Sequence, residues 1–212
     1  MSSTFTLSPT ELRILGTLSE KQRTVPDTYP LSLNALIAGC NQKTSRNPVM
    51  EISEAGALQA LETLKEYGFV TEESGSRVTR FAHRLEKTLN IPSQAAALLT
   101  VLILRGPQTA GELRLNCDRM YSFADISSVE AFLAELAARD DALVVELPKA
   151  PGSRENRWMH LLGGEPSPAQ SQAPSAASAY PERQEIDALQ ERVARLEAEV
   201  DELKTMILRL TQ

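Results

Sequence analysis

Lys43 and Arg46 stand in the run Asn41-Gln42-Lys43-Thr44-Ser45-Arg46-Asn47-Pro48, a stretch rich in hydrogen-bond donors and free of acids. Such a loop can donate to phosphates or to base edges. Four more cations, Arg77, Arg80, Arg154 and Arg157, fall in two look-alike segments, Gly75 to His83 and Gly152 to His160. Arginine at a hairpin tip reaches a minor groove or a phosphate backbone. These six residues are the candidate nucleic-acid contacts. The alternative for each arginine is a structural pairing with a nearby acid such as Glu72 or Glu146. His83 and His160 close the two segments and, by strand alternation, share a face with Phe81 and Trp158, as structural histidines would. General-base work would need an orienting partner that the sequence does not supply. The cluster Met120-Tyr121-Phe123 beside Arg119, with the Tyr29-Pro30 loop, reads as packing rather than as a groove for a peptide or a base. Cys40 and Cys117 are the only cysteines, lie in no CxxC pair, and read as buried reduced thiols. HExxH, GxSxG and glycine-rich phosphate loops are missing from the sequence. The expectation is a protein that is not an enzyme and uses no cofactor and no metal.

The elements that hold these residues are repeated. Gly75-Ser76-Arg77-Val78-Thr79-Arg80-Phe81-Ala82-His83 matches Gly152-Ser153-Arg154-Glu155-Asn156-Arg157-Trp158-Met159-His160 at a spacing of 77 residues. The same spacing pairs Ser32 with Thr109, Leu36 with Leu113 and Cys40 with Cys117. A spacing of 84 pairs Leu7, Ile14, Leu15 and Leu18 with Ile91, Leu98, Leu99 and Leu102. A spacing of 75 pairs Ser53, Leu58 and Leu61 with Ser128, Leu133 and Leu136. Two copies of one module follow.

In the first copy Pro9 opens a helix behind Ser8, with Leu12, Ile14, Leu15 and Leu18 on its apolar face. A second helix runs from Ser32 to Cys40 and buries Leu33, Leu36 and Ile37. A third starts at Ser53 and buries Leu58, Leu61 and Leu64 before Gly68 stops it. Strands then cover Phe69 to Thr71 and Val78 to Phe81. The second copy places helices near 93–104, 109–117 and 128–139, then strands over Leu143 to Leu147 and Asn156 to Leu161. The fold class is mainly α with small β-hairpins (α+β): two tandem winged helix-turn-helix domains, 1–88 and 89–164, plus a C-terminal coiled-coil helix.

Beyond Gly163-Gly164, residues 165–181 are a Pro-, Ser- and Ala-rich segment with little to bury, a disordered linker by composition. Residues 182–212 carry a heptad, with Ile186, Val193, Val200 and Ile207 at a and Leu189, Leu196, Leu203 and Leu210 at d. β-Branched residues at a with leucine at d favour a parallel two-stranded coiled coil. Arg192 would face Glu197 across that pair, and Glu199 would face Lys204. The expected first partner is therefore a second copy of the chain.

The run Tyr29 to Leu36, continuing through Cys40-Asn41-Gln42-Lys43-Thr44-Ser45-Arg46-Asn47-Pro48-Val49-Met50, resembles the bacterial YceH family. So do Leu104 to Arg114, Arg119-Met120-Tyr121-Ser122-Phe123 and Arg154 to Leu161, over roughly residues 7–164. The resemblance implies a tandem winged-helix fold and a cytoplasmic bacterial protein. It brings no catalytic residues, and its link to DNA rests on fold.

Charge tempers that link. Residues 1–164 hold 17 Lys and Arg against 19 Asp and Glu, and residues 165–212 hold 5 against 9, for a net charge of −6. Binding driven by phosphate neutralisation calls for a basic surface. The third helices, which would enter a major groove, carry Glu54, Glu62 and Glu66 against Lys65, and Glu130 and Glu135 against Arg139. Reading by either helix is disfavoured, which leaves the Lys43/Arg46 loop and the hairpin arginines. The sequence thus points to a dimeric binding protein whose other partner is DNA, contacted through those loops, or alternatively a protein. The longest apolar run, Ala95 to Leu104, is ten residues, too short to span a bilayer. No secretory signal is visible, so a cytoplasmic protein without membrane contact is expected.

Overall fold

A computed structural model describes residues 5–73, 78–149 and 155–165. These form a mixed α/β architecture of seven α-helices and five short strands. Helix α1 (Pro9–Thr24) begins with a capping box: the Ser8 hydroxyl accepts from the Glu11 amide at 3.3 Å, and the Glu11 carboxylate accepts from the Ser8 amide at 2.7 Å. Strand β1 (Leu31–Ser32) leads into α2 (Leu33–Cys40), capped by Ser32, and α3 (Glu54–Glu66) is capped by Ser53. Gly68, at φ +76°, reverses the chain after α3, a backbone state that favours glycine. Strands β2 (Val70–Glu73) and β3 (Arg80–His83) then pair antiparallel, and β1 lies on the far side of β3.

After a short helix α4 (Leu85–Leu89), the second half repeats this order. Helices α5 (Ser93–Arg105), α6 (Ala110–Cys117) and α7 (Ile126–Ala137) precede the antiparallel pair β4 (Val144–Leu147) and β5 (Arg157–His160). Gln108 makes an isolated bridge to Trp158, in the place where Leu31 pairs with Phe81 in the first half.

The two halves lie in one compact unit and share one core. Its seam is α1 against α5. A Cβ on Gly16 would sit 2.9 Å from both Ile103 Cγ2 and Leu104 Cδ2, so the missing side chain lets the helices close together. One turn away, the Ser19 and Thr100 hydroxyls share a buried hydrogen bond of 2.7 Å. At the other end the Leu7 amide donates to Leu162 O at 2.8 Å, which ties the start of the first half to the end of the second.

The third helices correct the sequence register. Ala57, Leu61 and Leu64 face inward in α3, and Val129, Leu133 and Leu136 do so in α7. The caps Ser53 and Asp125 fix the correspondence at 72 residues, because the loop before α7 is five residues shorter than the loop before α3. Leu58, expected in the core, is instead 42% exposed, and its counterpart is exposed Glu130. The expected linker and the expected coiled-coil helix, including Ile186, Leu189, Val193, Leu196, Val200, Leu203, Ile207 and Leu210, lie outside the described residues. No helix among the described residues is long and apolar enough to cross a membrane.

Candidate functional site

The Asn41–Pro48 loop is built around its arginine. Expected at the surface beside Lys43, Arg46 is only 6% exposed. Its guanidinium grips Glu20 of α1 with two bonds, 2.7 and 3.2 Å, and donates to Gly39 O and Ser45 O at 3.0 and 2.9 Å. Burial alone would push the Glu20 carboxyl up, but the Arg46 hydrogen bonds and charge, with Lys21, hold it below its ordinary value. Arg13, also buried, donates to the carbonyls of Cys40 and Pro48. The Asn41 side chain bonds both the amide and the carbonyl of Ile52, at 2.8 and 3.1 Å. The loop also reaches the second half: the Asn47 amide donates to Leu104 O at 2.8 Å, and Arg105 donates to Ser45 Oγ at 2.8 Å. These residues form an internal strap. Lys43 alone of the two cations remains exposed.

The hairpin arginines divide. Arg77 and Arg154 lie outside the described residues. Arg80 is exposed at its strand, yet its guanidinium donates to Pro30 O at 2.7 Å and to Thr28 O at 3.3 Å. Arg157 donates to Pro107 O at 2.7 Å and pairs with Glu112 at 3.0 Å. Neither uses the acids suggested from strand pairing: Glu72 binds Lys65, and Glu146 accepts from Asn156. Each arginine fastens its hairpin to the segment entering the second helix of its half. Of Lys43, Arg46, Arg80 and Arg157, two have carboxylate partners and a third donates to two backbone carbonyls, which leaves Lys43 as the one of these four with no such partner among the described residues.

The remaining reactive side chains are internal. His83 contacts Gln22 Oε1 at 2.8 Å through Nε2 and accepts from the Leu85 amide through Nδ1, while burial lowers its pKa. His160 is buried with Nδ1 unpaired, and burial lowers its pKa to about 4. Burial pushes the Cys117 thiol up to about 12 and raises Cys40 in the same direction. Tyr121, Phe123 and Phe132 stack edge to face against the core, and the Tyr29 hydroxyl accepts from the His83 amide at 2.7 Å. Among the described residues no group of three or more His, Cys, Asp or Glu could hold a metal ion.

One open site was missed in the sequence. A groove of 620 Å³ runs between α2, α3 and the β2–β3 hairpin, lined in part by Leu33, Leu58, Glu62, Glu72, Val78 and Arg80. Its floor is Leu61 and Phe81, both buried, while Leu58 and Val78 are 42% and 52% exposed. The signal that could have found it is the leucine count on α3: Leu58 falls outside the Ala57-Leu61-Leu64 stripe.

The family described as "Protein of unknown function, DUF480" matches residues 7–153. The chain is 66% identical over 210 residues to a UPF0502 protein of Dechloromonas aromatica (strain RCB), covering 97% of this chain and 96% of that one. It is 58% identical over 201 residues to a UPF0502 protein of Burkholderia pseudomallei (strain 668), covering 95% and 86%. To a UPF0502 protein of Burkholderia lata it is 59% identical over 207 residues, covering 96% and 87%.

Proposed function

The chain belongs to the DUF480 family of UPF0502 (YceH) proteins, and on that footing we propose that it is a non-enzymatic, dimeric adaptor that binds another protein through its helical modules. One observation carries this reading. Among the described residues, Arg46, Arg80 and Arg157, three of the arginines that would have met a polyanion, are each engaged by groups of the fold, while the outer face of α3 is acidic and apolar. A surface with that balance repels phosphate and suits a protein partner.

Element order supports treating each half as a winged helix-turn-helix unit. Helix, strand, helix, helix and strand pair follow in turn in the first half, with β3 central in its sheet, and the second half keeps the order with the isolated Gln108–Trp158 bridge in the place of the first strand. The buried thiols and imidazoles support a binding role over nucleophilic or acid-base chemistry. The heptad of residues 182–212 supports a parallel homodimer. Two copies would then double a weak contact by avidity.

A second reading has one observation in its favour. Lys43 is exposed at the edge of the strap, open to a phosphate, and Arg77 and Arg154, the other candidates from the sequence, lie outside the described residues.

Fluorescence anisotropy of the full chain against duplex DNA, titrated from low salt to about 0.15 M, separates the two. The adaptor reading expects no measurable complex at the upper end. Binding that persists there, with a steep salt slope lost in a Lys43, Arg77 and Arg154 triple neutralisation, would establish the second reading in its place. Light scattering tests the dimer: removal of residues 182–212 should give a folded monomer, and a shortened chain that stayed dimeric would move the interface into the modules.

A further inference from the structure

We propose that the groove between α2, α3 and the β2–β3 hairpin is a docking site for a segment of another protein that presents an apolar anchor flanked by Lys or Arg. The proposal rests on the adaptor reading and gives it a location and a ligand chemistry. The apolar half of the argument is geometric. Leu58 and Val78 stand exposed over a floor of Leu61 and Phe81, in a space large enough for one or two side chains. An anchor placed there would cover apolar surface that the chain leaves in water.

The charged half is the rim. The Glu62 side chain is 67% exposed and that of Glu72 is 37% exposed, and Glu54, Glu66 and Glu73 are exposed on the same helix and strand. Arg80 lines the groove and keeps its charge while donating to the Thr28 and Pro30 carbonyls, so it offsets them in part, and the five carboxylates still outnumber Arg80 and Lys65. Lys65 also offsets them in part: its ammonium spans Glu62 at 2.7 Å and Glu72 at 3.0 Å. An incoming cation would take those carboxylates over from Lys65, in the way an exposed ion pair is readily exchanged.

Charge also selects the occupant. The chain's own tail, residues 165–212, has 9 acids against 5 bases, and residues 1–164 have 19 against 17. The tail, a second copy and nucleic acid would all bring negative charge to a negative rim. A cationic segment of a different protein is the complementary ligand.

The test is a display library of random 12-residue peptides selected on the immobilised full chain, followed by affinities of the synthetic winners. Enriched peptides should carry Leu, Ile, Met or Phe next to Lys or Arg. Leu58→Ser should weaken them about tenfold, the scale of a truncated interface anchor. Glu62→Gln with Glu72→Gln should weaken them by a similar factor, and Lys65→Gln should tighten them by a few fold because the competing cation is gone. Leu115→Ser, at an exposed leucine of the second half, should change nothing. Leu58 and Lys65 are not core residues, so unchanged melting curves of their variants keep the comparison clean. Enrichment of acidic or uncharged peptides, indifference to both Leu58→Ser and Lys65→Gln, or no enrichment at all would overturn the proposal. Winners that bind away from the groove would leave the adaptor reading standing. DNA binding at physiological salt would remove that reading whatever the peptides do.

Discussion

The same place in the repeat is filled by different chemistry in the two halves. Between α2 and α3 the first half inserts a long loop whose interior is polar: Arg46 on Glu20, Arg13 on two carbonyls, and Asn41 closing on Ile52. Between α6 and α7 the second half has a loop five residues shorter, and Tyr121 and Phe123 pack there with ring centroids 4.8 Å apart. A short loop can sink rings into the core directly. A long one has more backbone carbonyls to satisfy, and a guanidinium with five donors serves several of them at once. Equivalent positions of the two halves are thus filled once by hydrogen bonding and once by apolar burial.

The largest signature of that contrast is Arg46→Ala. Removing one member of a buried, hydrogen-bonded pair leaves Glu20 without its partner and should cost about 3–5 kcal/mol. Arg157→Ala, at a pair whose side chains are 23% and 22% exposed, should cost about 1 kcal/mol. Chemical denaturation of both variants checks this, and equal losses would break the comparison. Next in size is the seam that joins the halves. Gly16→Leu drives a side chain into Ile103 and Leu104 and should cost about 3 kcal/mol, the upper range for overpacking. The loss should appear as one shifted transition, whereas two separate transitions would show that the halves fold independently.

The histidines sharpen the contrast through pH. His160 titrates at about 4 in the fold against an ordinary value of 6.5, so the unfolded chain binds the extra proton first as pH falls. Stability is therefore fully present above about pH 6.5 and declines toward pH 4, by about 2 kcal/mol between pH 7 and pH 5. His160→Phe should flatten that dependence in urea melts taken across this range. His83→Phe should flatten it less, since Glu86 lies 3.6 Å from His83 and favours its protonated form. The reverse ranking would contradict the environments described. Smallest of all, Leu58→Ser and Leu115→Ser should each change stability by less than about 0.5 kcal/mol, as expected at exposed sites.

Much of the fold could be read from the residues, because periodicity and caps act locally. Ser8-Pro9 with Glu11, Ser32, Ser53 and Thr109 announce helix starts, and the Arg80–His83 and Arg157–His160 strands follow from segment matching. The third-helix register was not legible, because leucine spacing alone accepts 75 residues as readily as 72. The deciding contacts come from Ala57 and Ala60, whose small side chains give no pattern of their own. Strand β1 spans two residues and exists only through its pairing with β3, and α4 spans five, so neither leaves a periodic trace. The candidate site was legible in composition but not in placement. Lys43 and Arg46 are three positions apart in sequence, yet one faces water and the other faces Glu20. A cation run does not disclose which of its members has a carboxylate waiting across the fold. The groove was hidden for the same reason as the register: both depend on Leu58 being turned outward.

The Gly16 seam and the Leu7–Leu162 clasp set a practical limit on dissecting this chain. A cut in the Asn90–Pro92 connection would not liberate two free-standing pieces. Each fragment would carry away one wall of a shared interior, α1 stripped of α5 or α5 stripped of α1, and would be sticky along that wall. The smallest portion worth expressing by itself runs from Leu7 through Gly164. Any partner bound to one repeat grips, mechanically, the whole block.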